Sequence, residues 1–119
     1  MCGLCVLDLA RSRGDDVSAV VSFHGALLPN GLDSDGPIHP AIMVLHGEDD
    51  PMVPTDTVEA FKAEMNARGA DWQFTGYSNT VHAFTRPDAN APEIGAQYNP
   101  AADQRSWRAM LGLFEEVFA

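Results

Sequence analysis

The stretch Ala41-Ile-Met-Val-Leu-His-Gly-Glu-Asp-Asp-Pro-Met-Val-Pro54 decides the fold. Residues 41–46 are apolar on both faces of a strand, the pattern of a central parallel strand that is covered by helices on both sides. Gly47 permits a sharp exit from this strand, and acidic residues follow it directly. Since functional groups of open parallel sheets collect at the carboxyl ends of strands, we expect a site here.

Two further strands and three helices are predicted around this one. The strands are Val17–Phe23 and Asp71–Tyr77, and the helices run from Met1 to about Arg13, from Thr55 or Asp56 as cap to about Arg68, and from about Ala101 to Phe118. Glycines 14 and 69 follow the first two helices as stop signals. Strands separated by helices imply a parallel sheet.

The helices carry apolar faces that are expected to pack on this sheet. The middle helix has Val58, Phe61 and Met65, and the last has Trp107, Met110, Leu111, Phe114 and Phe118. A sheet of about three parallel strands leaves two exposed edges. We therefore expect a single α/β domain, residues 1–119, that is completed by pairing of two copies into a homodimer.

Composition excludes several classes of function. The 119 residues carry a formal net charge of -10, which argues against nucleic acid as a partner, because phosphate binding needs clustered Lys and Arg. No apolar stretch approaches the roughly 20 residues of a membrane span. Cys2 and Cys5 are poorly placed for a disulfide, Cys5 is expected in the core, and no signal peptide is recognised. A reducing, cytoplasmic location is expected.

Polar groups follow all three predicted strands. His24 ends the first, Asp50 follows the second, and His82 lies in the loop after the third. A carboxylate at position 50 can orient an imidazole and stabilise its charged form. A histidine in a loop before the last helix can act as general base or acid. The pair predicts acid–base chemistry at the carboxyl ends of the strands.

The same three residues allow a second interpretation. His24, Asp50 and His82 could converge as two imidazoles and a carboxylate that hold zinc or another divalent metal with open positions. Such a metal could activate water without a nucleophilic side chain. The simpler alternative is that His24 ends its strand and packs beneath the site, in which case no cofactor is expected.

The sequence resembles the dienelactone hydrolase family in five segments that follow in order over essentially the whole chain. They are Gly3–Arg11, Val20–Gly25, His46–Pro54, Tyr77–Pro87 and Tyr98–Trp107. The resemblance implies the C-terminal half of an α/β-hydrolase fold and a Cys-His-Asp triad with Asp50 and His82 as two members. It implies hydrolysis of ester, lactone or phosphoester bonds in a small molecule, and contact of Arg86 with an anionic substrate group.

The resemblance also concerns the nucleophile. In the family a cysteine lies in a G-x-C-x-G-G elbow, and the alignment of Gly3 with the last glycine places that cysteine immediately ahead of Met1. Cys2, near a helix N-terminus where the dipole activates thiols, is a possible substitute. The alternative is a truncated, catalytically inactive chain that persists by self-association.

Overall fold

The computed structural model describes residues 2–13, 17–27 and 36–118, with the backbone alone for residues 2–4 and 13. Its elements are α1 (Cys2–Arg13), β1 (Ala19–Phe23), β2 (Ala41–Gly47), α2 (Thr55–Ala67), β3 (Trp72–Tyr77), β4 (Asn90–Ala91), a 3-10 turn (Pro92–Ile94), β5 (Ala96–Gln97) and α3 (Pro100–Phe118). The three predicted strands and three helices are confirmed. The predicted stop at Gly14 lies outside the described residues.

The three long strands form one parallel sheet in the order β1-β2-β3. β2 is central, and Ile42–Gly47 are all buried, as expected for a strand covered on both faces. Because the strands are parallel, their carboxyl ends at Phe23, Gly47 and Tyr77 lie along one edge of the sheet. This edge carries the residues described below as the site.

Alternating side chains of β2 divide the core into two layers. Ile42 and Val44 pack with α1 and α2, in a cluster that includes Leu7 and Phe61. On the opposite face Met43 and Leu45 pack with Phe84 and with Ala102 of α3. The predicted apolar face of α2, with Val58, Phe61 and Met65, is buried as expected.

The apolar stripe of α3 is covered less than its pattern suggests. Ala102 and Ser106 are its buried residues, whereas Trp107 and Phe118 are 54% and 65% exposed. The reason is that α3 packs through another face: Ala102 belongs to the core cluster on this side of the sheet, and Ala109 and Leu113 pack against that cluster. Trp107 and Leu111 lie off this face and are exposed. Cys5 of α1 was expected in the core, and this is wrong, because its side chain is exposed.

The ends of α2 agree in part with the sequence. Gly69 follows the helix with φ of 67°, the left-handed conformation that glycine adopts at little cost. The expected capping by Thr55 or Asp56 is wrong: Pro54 occupies the N-cap position and no side chain caps it. Instead the Thr57 hydroxyl donates to the Pro54 carbonyl at 2.7 Å.

An ion-pair network that the sequence analysis missed joins α1 to α2. The guanidinium of Arg11, which is 2% exposed, donates to both carboxylate oxygens of Glu64 at 3.0 and 2.9 Å. It also donates to the Leu27 carbonyl at 2.6 Å, and Arg68 donates to the Arg11 carbonyl at 2.7 Å. A buried charge is tolerated only when it is paired in this way, so the network fixes how α1 lies against α2.

The close approach at Gly47 gives a test of the fold. A Cβ at this position would lie 2.6 Å from the Thr80 carbonyl oxygen and 2.8 Å from that of Val81, both backbone atoms. Gly47→Ala should therefore cost about 1–3 kcal/mol of unfolding free energy, as overpacking typically does. Gly112→Ala in α3 is the matched control, because nothing lies within 4 Å of its Cβ. It should stabilise by about 0.5–1 kcal/mol.

Urea denaturation measures both variants. Equal midpoints for Gly47→Ala and the parent chain would show that the loop before His82 does not lie directly on the end of β2.

Candidate active site

Asp50 lies in the turn after β2, and its side chain is fully buried. Its backbone N–H donates to the Gly47 carbonyl at 3.0 Å, which closes the turn. Its Oδ1 atom accepts a hydrogen bond from the Met52 backbone N–H at 2.8 Å. One carboxylate oxygen is thus held by the backbone, and Oδ2 remains for another donor.

His82 is held through its own backbone. Its N–H donates to the Gly95 carbonyl at 2.9 Å, and its carbonyl accepts from the Gln97 N–H at 3.1 Å. These bonds form a bridge between His82 and Ala96 of β5. They attach the histidine to the short antiparallel pair β4–β5, which was predicted as loop. Gly95, with φ of 79°, supplies the left-handed turn that this arrangement needs.

The structure brings Asp50 and His82 together. Nδ1 of His82 lies 2.9 Å from Oδ2 of Asp50, and the His82 side chain is 24% exposed. Since an ionised carboxylate only accepts, the bond requires a proton on Nδ1. Nε2 of the neutral ring is then unprotonated and able to accept a proton.

Asn99 ties the loop that carries His82 to the start of α3. Its side-chain amide donates to the Thr80 hydroxyl at 3.0 Å, and its Oδ1 accepts from the Ala102 backbone N–H at 3.1 Å. Its own N–H donates to the Phe84 carbonyl at 3.1 Å. The sequence analysis missed this residue, although an Asn just before Pro100 at a helix start is a recognisable capping signal.

His24 lies beside His82 at the end of β1. The two ring centroids are 5.4 Å apart at an interplanar angle of 68°, and Nε2 of His24 lies 2.8 Å from the Thr85 hydroxyl. Burial, followed by the neighbouring His82, lowers the pKa of His24 to about 4. The His24 imidazole is therefore neutral near pH 7.

The metal interpretation of His24, Asp50 and His82 is not supported by this geometry. Among the residues that the structure describes, no three His, Cys, Asp or Glu side chains form a group that could hold a metal ion. The three residues are neighbours, but the rings meet edge to face and Nδ1 of His82 is bonded to the carboxylate. Asp50 and His82 form a hydrogen-bonded pair, and the ring of His24 packs against His82.

A cavity of about 590 Å³ lies in front of this pair. Its lining includes His24, His82 and Arg86. Arg86 is exposed, and its Nη2 atom lies 3.0 Å from Oδ2 of Asp88, which lines the same cavity. The hydrogen bond from Arg86 lowers the pKa of the Asp88 carboxyl. The cation expected to meet an anionic substrate group thus already has an anionic neighbour.

The thiols can be placed only in part. The backbone of Cys2 begins α1, and its side chain lies outside the described part of the chain. Cys5 is free and exposed on the same helix.

Comparison with known proteins shows the family. The sequence profile of the dienelactone hydrolase family matches residues 1–118. The Caenorhabditis elegans protein K02A2.1 is 42% identical over 119 residues, which is 98% of this chain and 75% of that protein. The chain therefore belongs to the dienelactone hydrolase family.

Solved structures agree with this assignment. A dienelactone hydrolase-like promiscuous phosphotriesterase from metagenomic libraries is 41% identical with a TM-score of 0.88, over 97% of this chain and 48% of that one. The structure named m3DLH is 40% identical with a TM-score of 0.88, over 98% of this chain and 49% of that one. This chain spans about half the length of these two proteins and matches that part of their α/β fold.

Membrane association was not expected from the sequence. Within residues 2–13, 17–27 and 36–118, no helix is both long and apolar enough to cross a bilayer.

The lowered pKa of His24 predicts how stability depends on pH. The unfolded chain binds a proton at this residue near pH 6.5, whereas the folded chain does so only near pH 4. The unfolded state therefore holds more protons within this window, and the free energy of unfolding should fall as the pH is lowered through it. His46, whose pKa burial also lowers, contributes in the same direction.

Urea denaturation at pH 7 and at about pH 4.5 measures this effect. His24→Phe keeps a ring without a titrating group and should show a smaller fall than the parent chain, because the contribution of His24 is removed. An equal fall in both proteins would contradict the assignment of the effect to His24.

Proposed function

We propose that this chain supplies the base and the carboxylate of a hydrolase that cleaves ester, lactone or phosphoester bonds in small molecules. The observation that carries the proposal is the 2.9 Å contact between His82 Nδ1 and the buried Asp50 carboxylate. His82 lines a cavity of about 590 Å³, which is large enough for a small ester. The phosphotriesterase among the solved relatives supports the phosphoester part of the range.

His82 acts as general base in this proposal. Nε2 takes a proton from the attacking group as it adds to the carbonyl or phosphoryl centre, and Asp50 stabilises the imidazolium that forms. The imidazolium then returns the proton to the leaving oxygen, so that the base is regenerated. The Met52 N–H holds the Asp50 carboxyl in place during this cycle.

Two sources of the nucleophile remain open in the proposal. Water activated by His82 is one, and a thiol is the other, either Cys2 or the family cysteine that the alignment places ahead of Met1. Water attack forms no covalent enzyme intermediate. A thiol first expels the alcohol of the substrate and forms a thioester with an acyl group or a phosphorothiolate with a phosphoryl group, and water then hydrolyses this intermediate. Inactivation by iodoacetamide would identify the thiol route.

Arg86 is proposed to orient the substrate at the rim of the cavity. Because Asp88 pairs with it, an anionic substrate group competes with a carboxylate for the guanidinium. Exposed pairs of this kind contribute little to stability, so the exchange is feasible. Neutral esters need no such exchange, and we expect them to be the better substrates.

Two substitutions test the catalytic pair directly. His82→Ala should lower kcat/KM for 4-nitrophenyl acetate and for diethyl 4-nitrophenyl phosphate by about 10²–10⁴-fold, the usual contribution of a positioned base. Asp50→Asn should cause a loss of similar order, because it removes the charge that orients and stabilises the imidazole. Asp49→Asn is the matched control, since Asp49 is an exposed acid in the same turn, and it should leave the rate unchanged.

The pH–rate profile provides the result that would contradict the proposal. A rate that shows no limb near a histidine pKa and is unaffected by His82→Ala would refute the proposed function.

A homodimer is proposed as a second property of the chain, compatible with activity or with an inactive role. In the part of the chain that the structure describes, no strand pairs with the outer edge of β1. Near it, Trp107 of α3 lines an apolar cavity together with Val21 and Phe23 of β1. Association of two copies would cover both features.

Sedimentation velocity at micromolar concentration tests the homodimer. Trp107→Gln should shift the population toward monomer, because it removes an apolar side chain that is 54% exposed. Ile94→Gln is the control, an exposed apolar residue outside α3. A parent chain that sediments only as a monomer would contradict the proposal.

Two further properties are proposed, the domain organisation and the location of the chain. Residues 1–119 act as a single domain, which is supported by the continuous sheet and its two core layers. The location is proposed to be cytoplasmic, in keeping with the free thiol of Cys5.

A further inference from the structure

His24 has a backbone conformation that a non-glycine residue adopts rarely. Its φ is 41°, in the left-handed region, directly after β1. The conformation is held by a hydrogen bond from its N–H to the Leu45 carbonyl at 2.9 Å, which extends the β1–β2 pairing by one residue. Ala83, with φ of 60°, lies next to His82. Strained residues of this kind cluster at functional sites, and both lie beside the candidate base.

The ring of His24 contacts the loop that carries His82 in three places. Its centroid lies 5.4 Å from that of His82 and 5.1 Å from that of Phe84, at 68° and 78°, both edge-to-face arrangements. Nε2 lies 2.8 Å from the Thr85 hydroxyl. The hydrogen bond to Thr85 therefore fixes the His24 ring, which packs edge to face against the His82 imidazole.

The charge of His24 suits this position. Burial keeps the imidazole neutral near pH 7, and the neighbouring His82 acts in the same direction. A neutral ring does not repel an imidazolium that forms on His82 during reaction, whereas a cation at this distance would do so.

His24 also separates two cavities. Together with Phe23 it lines both the cavity of about 590 Å³ that contains His82 and an apolar cavity of about 320 Å³ that is bordered by Val6 and Trp107. Thr85, the partner of His24, lines the second cavity. A change at this ring would therefore alter both the orientation of His82 and the wall behind it.

We propose that His24, tied to Thr85, is a positioning residue that holds the His82 imidazole in the plane in which Nδ1 meets the Asp50 carboxylate. The idea rests on the proposed function for its kinetic consequences, but the orientation of the ring can be measured without turnover. Asp50 holds the ring at one nitrogen, and His24 restrains its rotation about that bond. Without His24, the His82 ring would bind the Asp50 carboxylate in a broader range of orientations, and fewer of these orientations would allow proton transfer.

Thr85→Val tests the proposal, because it removes the hydroxyl that binds His24 and keeps the side-chain shape. We expect kcat for 4-nitrophenyl acetate to fall about tenfold with little change in KM, since a well-oriented base accounts for ~10²–10⁴-fold of the rate. His24→Phe, which keeps a ring without the bond to Thr85, should give a similar fall. The double variant should be no slower than either single one, because both changes break the same contact.

Ser106→Ala is the matched control. It removes another hydroxyl with a buried hydrogen bond, here to the Asp103 carbonyl at 2.9 Å. It should lower the urea midpoint and leave kcat unchanged. If Thr85→Val behaves like Ser106→Ala, His24 serves only to end its strand and the proposal is wrong.

A measurement without substrate separates this idea from the proposed function. In the proton NMR spectrum, exchange of the His82 Nδ1 proton with water should be faster in Thr85→Val and in His24→Phe than in the parent chain and in Ser106→Ala. Unchanged exchange together with unchanged kcat would overturn the positioning role. If His82→Ala has no effect on turnover, the proposed function fails, and the exchange rates still decide the role of His24.

Discussion

The buried carboxylate of Asp50 is the constraint on which the rest of the site depends. A fully buried carboxylate is tolerated only when hydrogen-bond donors surround it. The donors to Asp50 are the Met52 backbone N–H and Nδ1 of His82. Both donors have to be held in place. The turn after β2 holds the first, and the β4–β5 pair holds the second through the backbone of His82.

The absence of a side chain at Gly47 makes this arrangement possible. The carbonyl oxygens of Thr80 and Val81 lie where a Cβ would stand, so the loop before His82 comes directly onto the end of the central strand. The Asp49 N–H then donates to the Thr80 carbonyl at 2.9 Å and links the two loops. The distance between Asp50 and His82 is therefore set by backbone contacts, and the hydrogen bond forms on a frame that already brings the two side chains together.

Local patterns carried most of what could be predicted from the sequence. The apolar run 41–46 reports burial directly, and the order of strands and helices indicates a parallel sheet, so the placement of Asp50 and His82 followed from these patterns. The β4–β5 pair has two residues in each strand, too few to show a period. The bond between Arg11 and Glu64 joins residues that are far apart in the chain, and no local pattern reveals such a pair. The exposure of Trp107 depends on which face of α3 meets the sheet, and the face that does so carries the smaller side chains of Ala102 and Ala109, which the apolar stripe did not include.

The Asp50–His82 hydrogen bond is the feature on which the proposed chemistry rests. Nitrogen-15 NMR of the four histidine rings at neutral pH tests it most directly. The account predicts that His82 is protonated at Nδ1, with a proton protected from exchange that is lost in Asp50→Ala and kept in Asp49→Ala. A His82 ring protonated at Nε2, with a spectrum that Asp50→Ala leaves unchanged, would contradict it.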